Sequence, residues 1–121
     1  IGQQDGAVAE ARAILGPNGI IGRSTNRLDQ VSAACKEADY IAFGPIWRTT
    51  NIAIEKPLNG IDRLRQARVL AQKKPLFAIG GITLERLPEV KATGADGWAV
   101  IGALASAFDT EKTTRAFVKL A

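Results

Sequence analysis

Two glycine-bearing stretches could hold an anion. Phe77-Ala78-Ile79-Gly80-Gly81-Ile82-Thr83 sets two glycines directly after an apolar run, and Ile101-Gly102-Ala103-Leu104 sets one at the end of the next such run. Glycine lets the backbone approach a ligand closely and turn its N–H groups outward. N–H groups at the start of a helix hold phosphate without any charged side chain. The same residues would also serve as plain strand-to-helix turns, but their occurrence in adjacent units favours phosphate binding. A third stretch, Gly44-Pro45-Ile46-Trp47-Arg48-Thr49-Thr50-Asn51, opens the longest connection in the chain. Its arginine and small hydrogen-bonding side chains suit an oxyanion, and an ordinary surface loop anchored by Trp47 accounts for them equally well. The fourth, Gly2-Gln3-Gln4-Asp5, ends in a carboxylate at what reads as a strand's end. Magnesium often takes only one or two protein carboxylates when a substrate supplies phosphate oxygens. On its own residues, Asp5 is more simply an N-cap for a helix over 7–15.

These stretches need elements to position them, and apolar periodicity supplies alternating helices and strands. Val8, Ala11, Ile14 and Leu15 share a helical face that ends at Gly16-Pro17. Ile20-Ile21-Gly22 reads as a short buried strand, and Ser24-Thr25-Asn26 as the cap of a helix whose apolar face is Leu28, Val31, Ala34 and Cys35. Tyr40 to Phe43 is apolar on both faces, which suits a covered parallel sheet. Ile61, Leu64, Ala67 and Ala71 predict a third helix and Pro75 to Ile79 a third strand. Thr83 leads into a helix carrying Pro88, Trp98 to Ile101 is a fourth strand, and Gly102 to Ala107 a short helix. Asp109 or Thr110 caps the last helix. The segment from Ala38-Asp39-Tyr40 to Gly44 parallels that from Ala95-Asp96-Gly97 to Gly102, as a repeated βα architecture would. Periodicity alone leaves a (β/α)8 barrel, which needs about 250 residues, and a small doubly wound sheet both open. In either fold the ligand collects at the carboxyl ends of the strands.

With 121 residues there is room for about four βα units, and 46% hydrophobic with 23% charged residues is ordinary globular composition. No stretch nears the roughly 18 apolar residues of a membrane span, so no membrane association is expected. The chain has one cysteine and no histidine. The first favours a reducing, cytoplasmic location, and the second excludes imidazole acid–base catalysis and histidine zinc sites. A start at Ile1 and the lack of methionine suggest a piece of a longer translated protein. The net charge of +4 suggests anionic partners. The basic residues are spread from Arg12 to Lys119 with few aromatics between them, so phosphorylated small molecules are expected rather than nucleic acid. Cys35 and Trp98 read as packing, and Asp39 and Asp96 as turn or cap contacts away from the ligand end.

Taken in order, Gly2-Gln3-Gln4-Asp5, Ile21-Gly22-Arg23-Ser24-Thr25, the Ala38–Ile46 segment, Ala78-Ile79-Gly80-Gly81-Ile82-Thr83 and Gly94–Ile101 resemble the C-terminal half of thiamine-phosphate synthase. The resemblance runs over essentially the whole chain. It implies an α/β fold, the C-terminal half of a (β/α)8 TIM barrel, spanning residues 1–121 without the N-terminal half. It also implies a magnesium-dependent transferase that joins a pyrimidine diphosphate to a thiazole phosphate, giving thiamine phosphate and pyrophosphate. Ionisation of the pyrimidine methylene–oxygen bond needs charge stabilisation more than a base, which agrees with the missing histidine. By resemblance Asp5 is a Mg2+ ligand and Ser24 the catalytic contact to the pyrimidine diphosphate. Thr49, Thr50 and Asn51 hold the thiazole phosphate from the long loop, and Gly81, Ile101 and Gly102 offer it backbone N–H groups.

Two positions depart from the family pattern. Gln4 stands where the family has Glu, and Ile52 where it has a lysine that touches the diphosphate. Arg48 or Lys56, in the same loop, is expected to replace that charge. The alternatives are a thiazole tautomerase, which uses a histidine this chain lacks, and a non-catalytic thiazole-phosphate-binding barrel. Half a barrel leaves strand edges unpaired, so the isolated chain is expected to be inactive and sticky, dimeric or partly molten.

Overall fold

The Tyr40–Phe43 run, apolar on both faces, and the apolar Leu76–Ile79 run fold as the central strands of a parallel sheet. The computed structural model describes residues 1–49 and 58–121. In chain order it has α1 (Val8–Leu15), β1 (Gly22–Thr25), α2 (Leu28–Glu37), β2 (Tyr40–Phe43), α3 (Gly60–Ala71), β3 (Leu76–Ile79), α4 (Leu87–Lys91), β4 (Gly97–Ala99), α5 (Gly102–Ala105) and α6 (Thr110–Lys119). The sheet order is β1-β2-β3-β4 with every pair parallel, so each strand neighbours the next across a helical connection.

Strand alternation divides the sheet into two unlike faces. Ile41, Phe43, Leu76 and Ala78 are fully buried against Val31 and Ala34 of α2 and Leu64, Ala67 and Ala71 of α3. Trp98 and Cys35 pack against this core, as the sequence suggested. On the other face Gly22, Ala42, Phe77, Ile79 and Gly97 are half-buried, and Ser24 and Tyr40 are exposed. A Cβ on Gly22 would enter the Tyr40 ring, and one on Gly97 would lie 2.7 Å from Phe77 Cε1. Tyr40 and Phe77 meet edge-on with ring centroids 5.6 Å apart. Small and large residues therefore alternate across the open face, as they do inside small barrels.

The repeated Ala-Asp segments do the same structural work twice. Asp39 Oδ2 accepts from Arg12 Nη2 at 2.7 Å and from Ile21 N at 2.8 Å. Asp96 Oδ2 accepts from Arg68 Nη1 and, at 2.7 Å, from Leu76 N. Each aspartate thus ties the start of its own strand to the start of the preceding strand and to an arginine of an earlier helix. The Arg12 guanidinium and the Ile21 N–H hold the Asp39 carboxyl below the usual carboxylate range. Both staples lie at the amino ends of the strands, away from the ligand end.

Several sequence expectations are corrected. The first strand is Gly22–Thr25, not Ile20–Gly22, and Ile20 is exposed. α2 is capped by its own Gln30, whose Oε1 accepts from Asn26 N at 2.9 Å and Arg27 N at 3.2 Å, rather than by the Ser24–Asn26 cluster. The last strand stops at Ala99 and the short helix after it at Ala105. In α1 only Val8 is buried, and Ile14 and Leu15 stay exposed because no described element covers that side. The cap of α6 is Asp109, which accepts from Lys112 N. Among the described residues, no helix is long and apolar enough to cross a membrane.

Candidate functional site

Segments following all four strands converge on one cavity of about 510 Å³ at the carboxyl ends of the sheet. Thr25 and Asn26 come from the end of β1, Gly44 and Pro45 follow β2, Gly80 to Thr83 follow β3, and Val100 to Ala103 follow β4. A cavity of this size, at this end of a parallel sheet, fits a small-molecule site.

Glycine is required where the loops after β2 and β3 meet. Trp47 N donates to Gly80 O and Ile46 N to Ile79 O, each at 3.0 Å, which draws the two loops together. Gly80 and Gly81 both have positive φ. A Cβ on Gly80 would lie 2.6 Å from Pro45 Cα, and one on Gly81 2.8 Å from both Arg48 O and Trp47 Cβ. Neither position has room for a side chain, so the turn presents bare backbone to the cavity. The other end of the long connection is tied down by Asn59 N and Gly60 N, which donate to Pro45 O and Ile46 O.

Of the residues singled out by sequence, Ser24, Thr49, Gly81, Ile101 and Gly102 all line this cavity. Arg48 lines it as well, at an exposed position. Thr50 and Asn51, with Ile52 and Lys56, lie outside the described residues. Asp5 is not among the lining residues, although Gly2 and Gln3 are. The first residues run along β1: Ile1 N donates to Gly22 O at 2.7 Å, Ser24 N to Ile1 O at 3.0 Å, and Gln3 Nε2 to Ser24 O at 2.6 Å. Asp5 therefore follows a strand-like segment at the sheet edge. It is not the helix cap considered for it, because α1 is preceded by Ala7 and Asp5 Oδ2 instead accepts from Gly2 N at 2.7 Å.

Sequence reasoning missed Arg86. It reaches the cavity from the turn before α4, where its Nη1 donates to Gly81 O at 2.6 Å and its guanidinium carbon stands 4.9 Å from the Trp47 ring centroid. Thr83, which opens that turn by accepting from Arg86 N at 3.2 Å, lines the cavity too. A hydrogen bond from its side chain holds the Glu85 carboxyl below the usual range. The described lining contains two arginines and no carboxylate, so the site is electropositive.

The thiamine monophosphate synthase family model matches residues 1–104. The chain belongs to that family. Its thiamine-phosphate synthase relatives include one from Mycobacterium marinum (strain ATCC BAA-535 / M), 49% identical over 111 residues, which are 90% of this chain and 50% of the relative. Another, from Mycobacterium sp. (strain JLS), is 44% identical over 95% of this chain and 51% of its own length. The chain thus spans about half the length of these thiamine-phosphate synthases. A solved thiamine phosphate pyrophosphorylase from Pyrococcus furiosus superposes with a TM-score of 0.87 at 36% identity, covering 99% of this chain and 56% of that one. A second solved structure, described as native KDPGal, shares the fold with a TM-score of 0.72 at 20% identity.

Proposed function

We propose that this chain is the carboxyl-terminal, phosphate-binding half of a thiamine-phosphate synthase barrel. The observation that carries the reading is the electropositive cavity at the strand ends, which gathers Ser24, Thr49, Gly81, Ile101 and Gly102 beside Arg48 and Arg86. The parent enzyme would join a pyrimidine diphosphate to a thiazole phosphate and release pyrophosphate. The Gly80–Gly81 turn, Ile101 and Gly102 would bind the thiazole phosphate through backbone N–H groups. Thr49, Thr50 and Asn51 would complete that site from the long loop. Ser24, exposed at the end of β1, would contact the pyrimidine diphosphate, and Arg48 or Lys56 would stand in for the charge that Ile52 lacks. The half-barrel assignment is supported by the open, aromatic-lined sheet face and by the exposed Ile14, Leu15 and Ile20.

Asp5 is the magnesium ligand in this reading. No group of three or more acidic, histidine or cysteine side chains that could hold a metal exists among the described residues. A single exposed carboxylate fits a cation that keeps several waters and takes its remaining oxygens from a substrate diphosphate. Bound there, Mg2+ would neutralise charge on the departing diphosphate. The chain's own residues orient the substrates and supply fixed positive potential.

Pyrophosphate release by the polypeptide carrying this chain behind an amino-terminal half tests the reading. Release that needs both substrates and Mg2+, with Asp5→Asn shifting the Mg2+ requirement upward, is expected. Binding of thiazole phosphate without turnover would point instead to a non-catalytic barrel. The 121-residue chain alone is expected to be inactive and prone to self-association through its open sheet edges.

A further inference from the structure

Of the two arginines that line the cavity, Arg48 is exposed and Arg86 half-buried, and Arg23, Arg48 and Arg63 share with Arg86 the lack of an ion pair among the described residues. Arg12, Arg27, Arg65, Arg68 and Arg115 each pair with an aspartate or glutamate. Arg86 is half-buried, lines the cavity and makes no ion pair among the described residues. Its guanidinium is nonetheless fixed at two points, by the 2.6 Å bond to Gly81 O and by the Trp47 ring. Stacking leaves the in-plane N–H groups of a guanidinium available, and the Gly81 carbonyl accounts for one of its five donors. A preorganised cation with spare donors, beside a turn of bare backbone, matches an oxyanion.

We propose that Arg86 both binds the substrate phosphate and positions the site, by clamping the Gly80–Gly81 turn against Trp47. This inference rests on the phosphate-site reading given above. It adds a fixed, half-buried charge to the backbone amides and long-loop side chains of that site, and it couples the loop after β2 to the loop after β3.

Inorganic phosphate titrated into the isotope-labelled polypeptide that carries this chain behind an amino-terminal half, followed by nuclear magnetic resonance, tests it. The Gly81 amide and the Arg86 side-chain Nε–H are expected to shift together along one binding curve. Arg86→Ala is expected to weaken phosphate binding about tenfold, the loss of one charge-assisted contact. Arg86→Lys keeps the charge without the planar fork and is expected to recover part of that loss. An Arg86→Ala protein that binds phosphate as wild type does would overturn the proposal. So would a wild-type Nε–H that stays still while the Gly81 and Gly102 amides move, a readout that holds even if the alanine variant fails to fold. If neither amides nor side chain respond in the wild type, the phosphate-site reading itself falls, and this proposal with it.

Discussion

Replacing Gly81 with alanine probes the closest approach in the site, and Gly60→Ala supplies its control. Both glycines have φ of +68°, a conformation that costs a non-glycine residue about 1 kcal/mol or somewhat more. Around Gly60 a Cβ would meet nothing within 4 Å, whereas at Gly81 it would stand 2.8 Å from Arg48 O and 2.8 Å from Trp47 Cβ. Those neighbours are backbone and the root of a side chain held by the Trp47 N–H to Gly80 O bond, so they cannot swing aside. Overpacking of this kind adds roughly 1–3 kcal/mol. Gly60→Ala should therefore cost about 1 kcal/mol and Gly81→Ala about 2–4 kcal/mol. Urea unfolding of both variants in the polypeptide that carries this chain behind an amino-terminal half, followed by circular dichroism and Trp fluorescence, measures the two losses. Because Gly81 and Arg48 line the cavity, Gly81→Ala should also weaken phosphate binding while Gly60→Ala leaves it intact. Equal losses for the two variants would refute the close-packed turn.

Two further outcomes concern the scaffold. Leu64 is fully buried between α3 and the sheet, so Leu64→Ala should cost about 2–5 kcal/mol in urea unfolding without selectively changing phosphate affinity in the folded protein. The Asp39 carboxyl is held low by Arg12 and Ile21, so its contribution to stability is present above the usual carboxylate range and disappears as the pH falls through that range and below. Asp39→Asn should lower stability at neutral pH and flatten the acid limb of the stability curve, and thermal melts from pH 7 down to pH 3 would read both effects.

The central strands were legible because Tyr40–Phe43 and Leu76–Ile79 are apolar on both faces, a pattern few other elements produce. The cavity was legible for a related reason: residues following each strand must meet at one end of a parallel sheet, and glycines there mark the close approach of loops around a ligand end. Position along the edge strand was harder. Ile20 and Ile21 are identical in type, and only tertiary placement buries the second and exposes the first. The apolar stripe of α1 is real in the sequence, yet the described residues give Ile14 and Leu15 nothing to pack on. Arg86 was invisible for a different reason. Within Leu84-Glu85-Arg86-Leu87 it reads as a solvated helix residue, and its role appears only when Trp47, far away in sequence, arrives beneath it. The Ala-Asp repeat showed the converse: its two aspartates lie away from the ligand end, as their place before the strands had suggested, yet they tie neighbouring strands together rather than capping turns.

Thiazole phosphate binding to the polypeptide that carries this chain behind an amino-terminal half, compared with the unphosphorylated thiazole alcohol, tests the central claim most directly. Resonance mapping is expected to show saturable shifts at Gly81, Ile101 and Gly102 with the phosphate ester and none there with the alcohol. Equal shifts from both compounds, or shifts from the phosphate ester confined to residues outside the strand-end cavity, would contradict it.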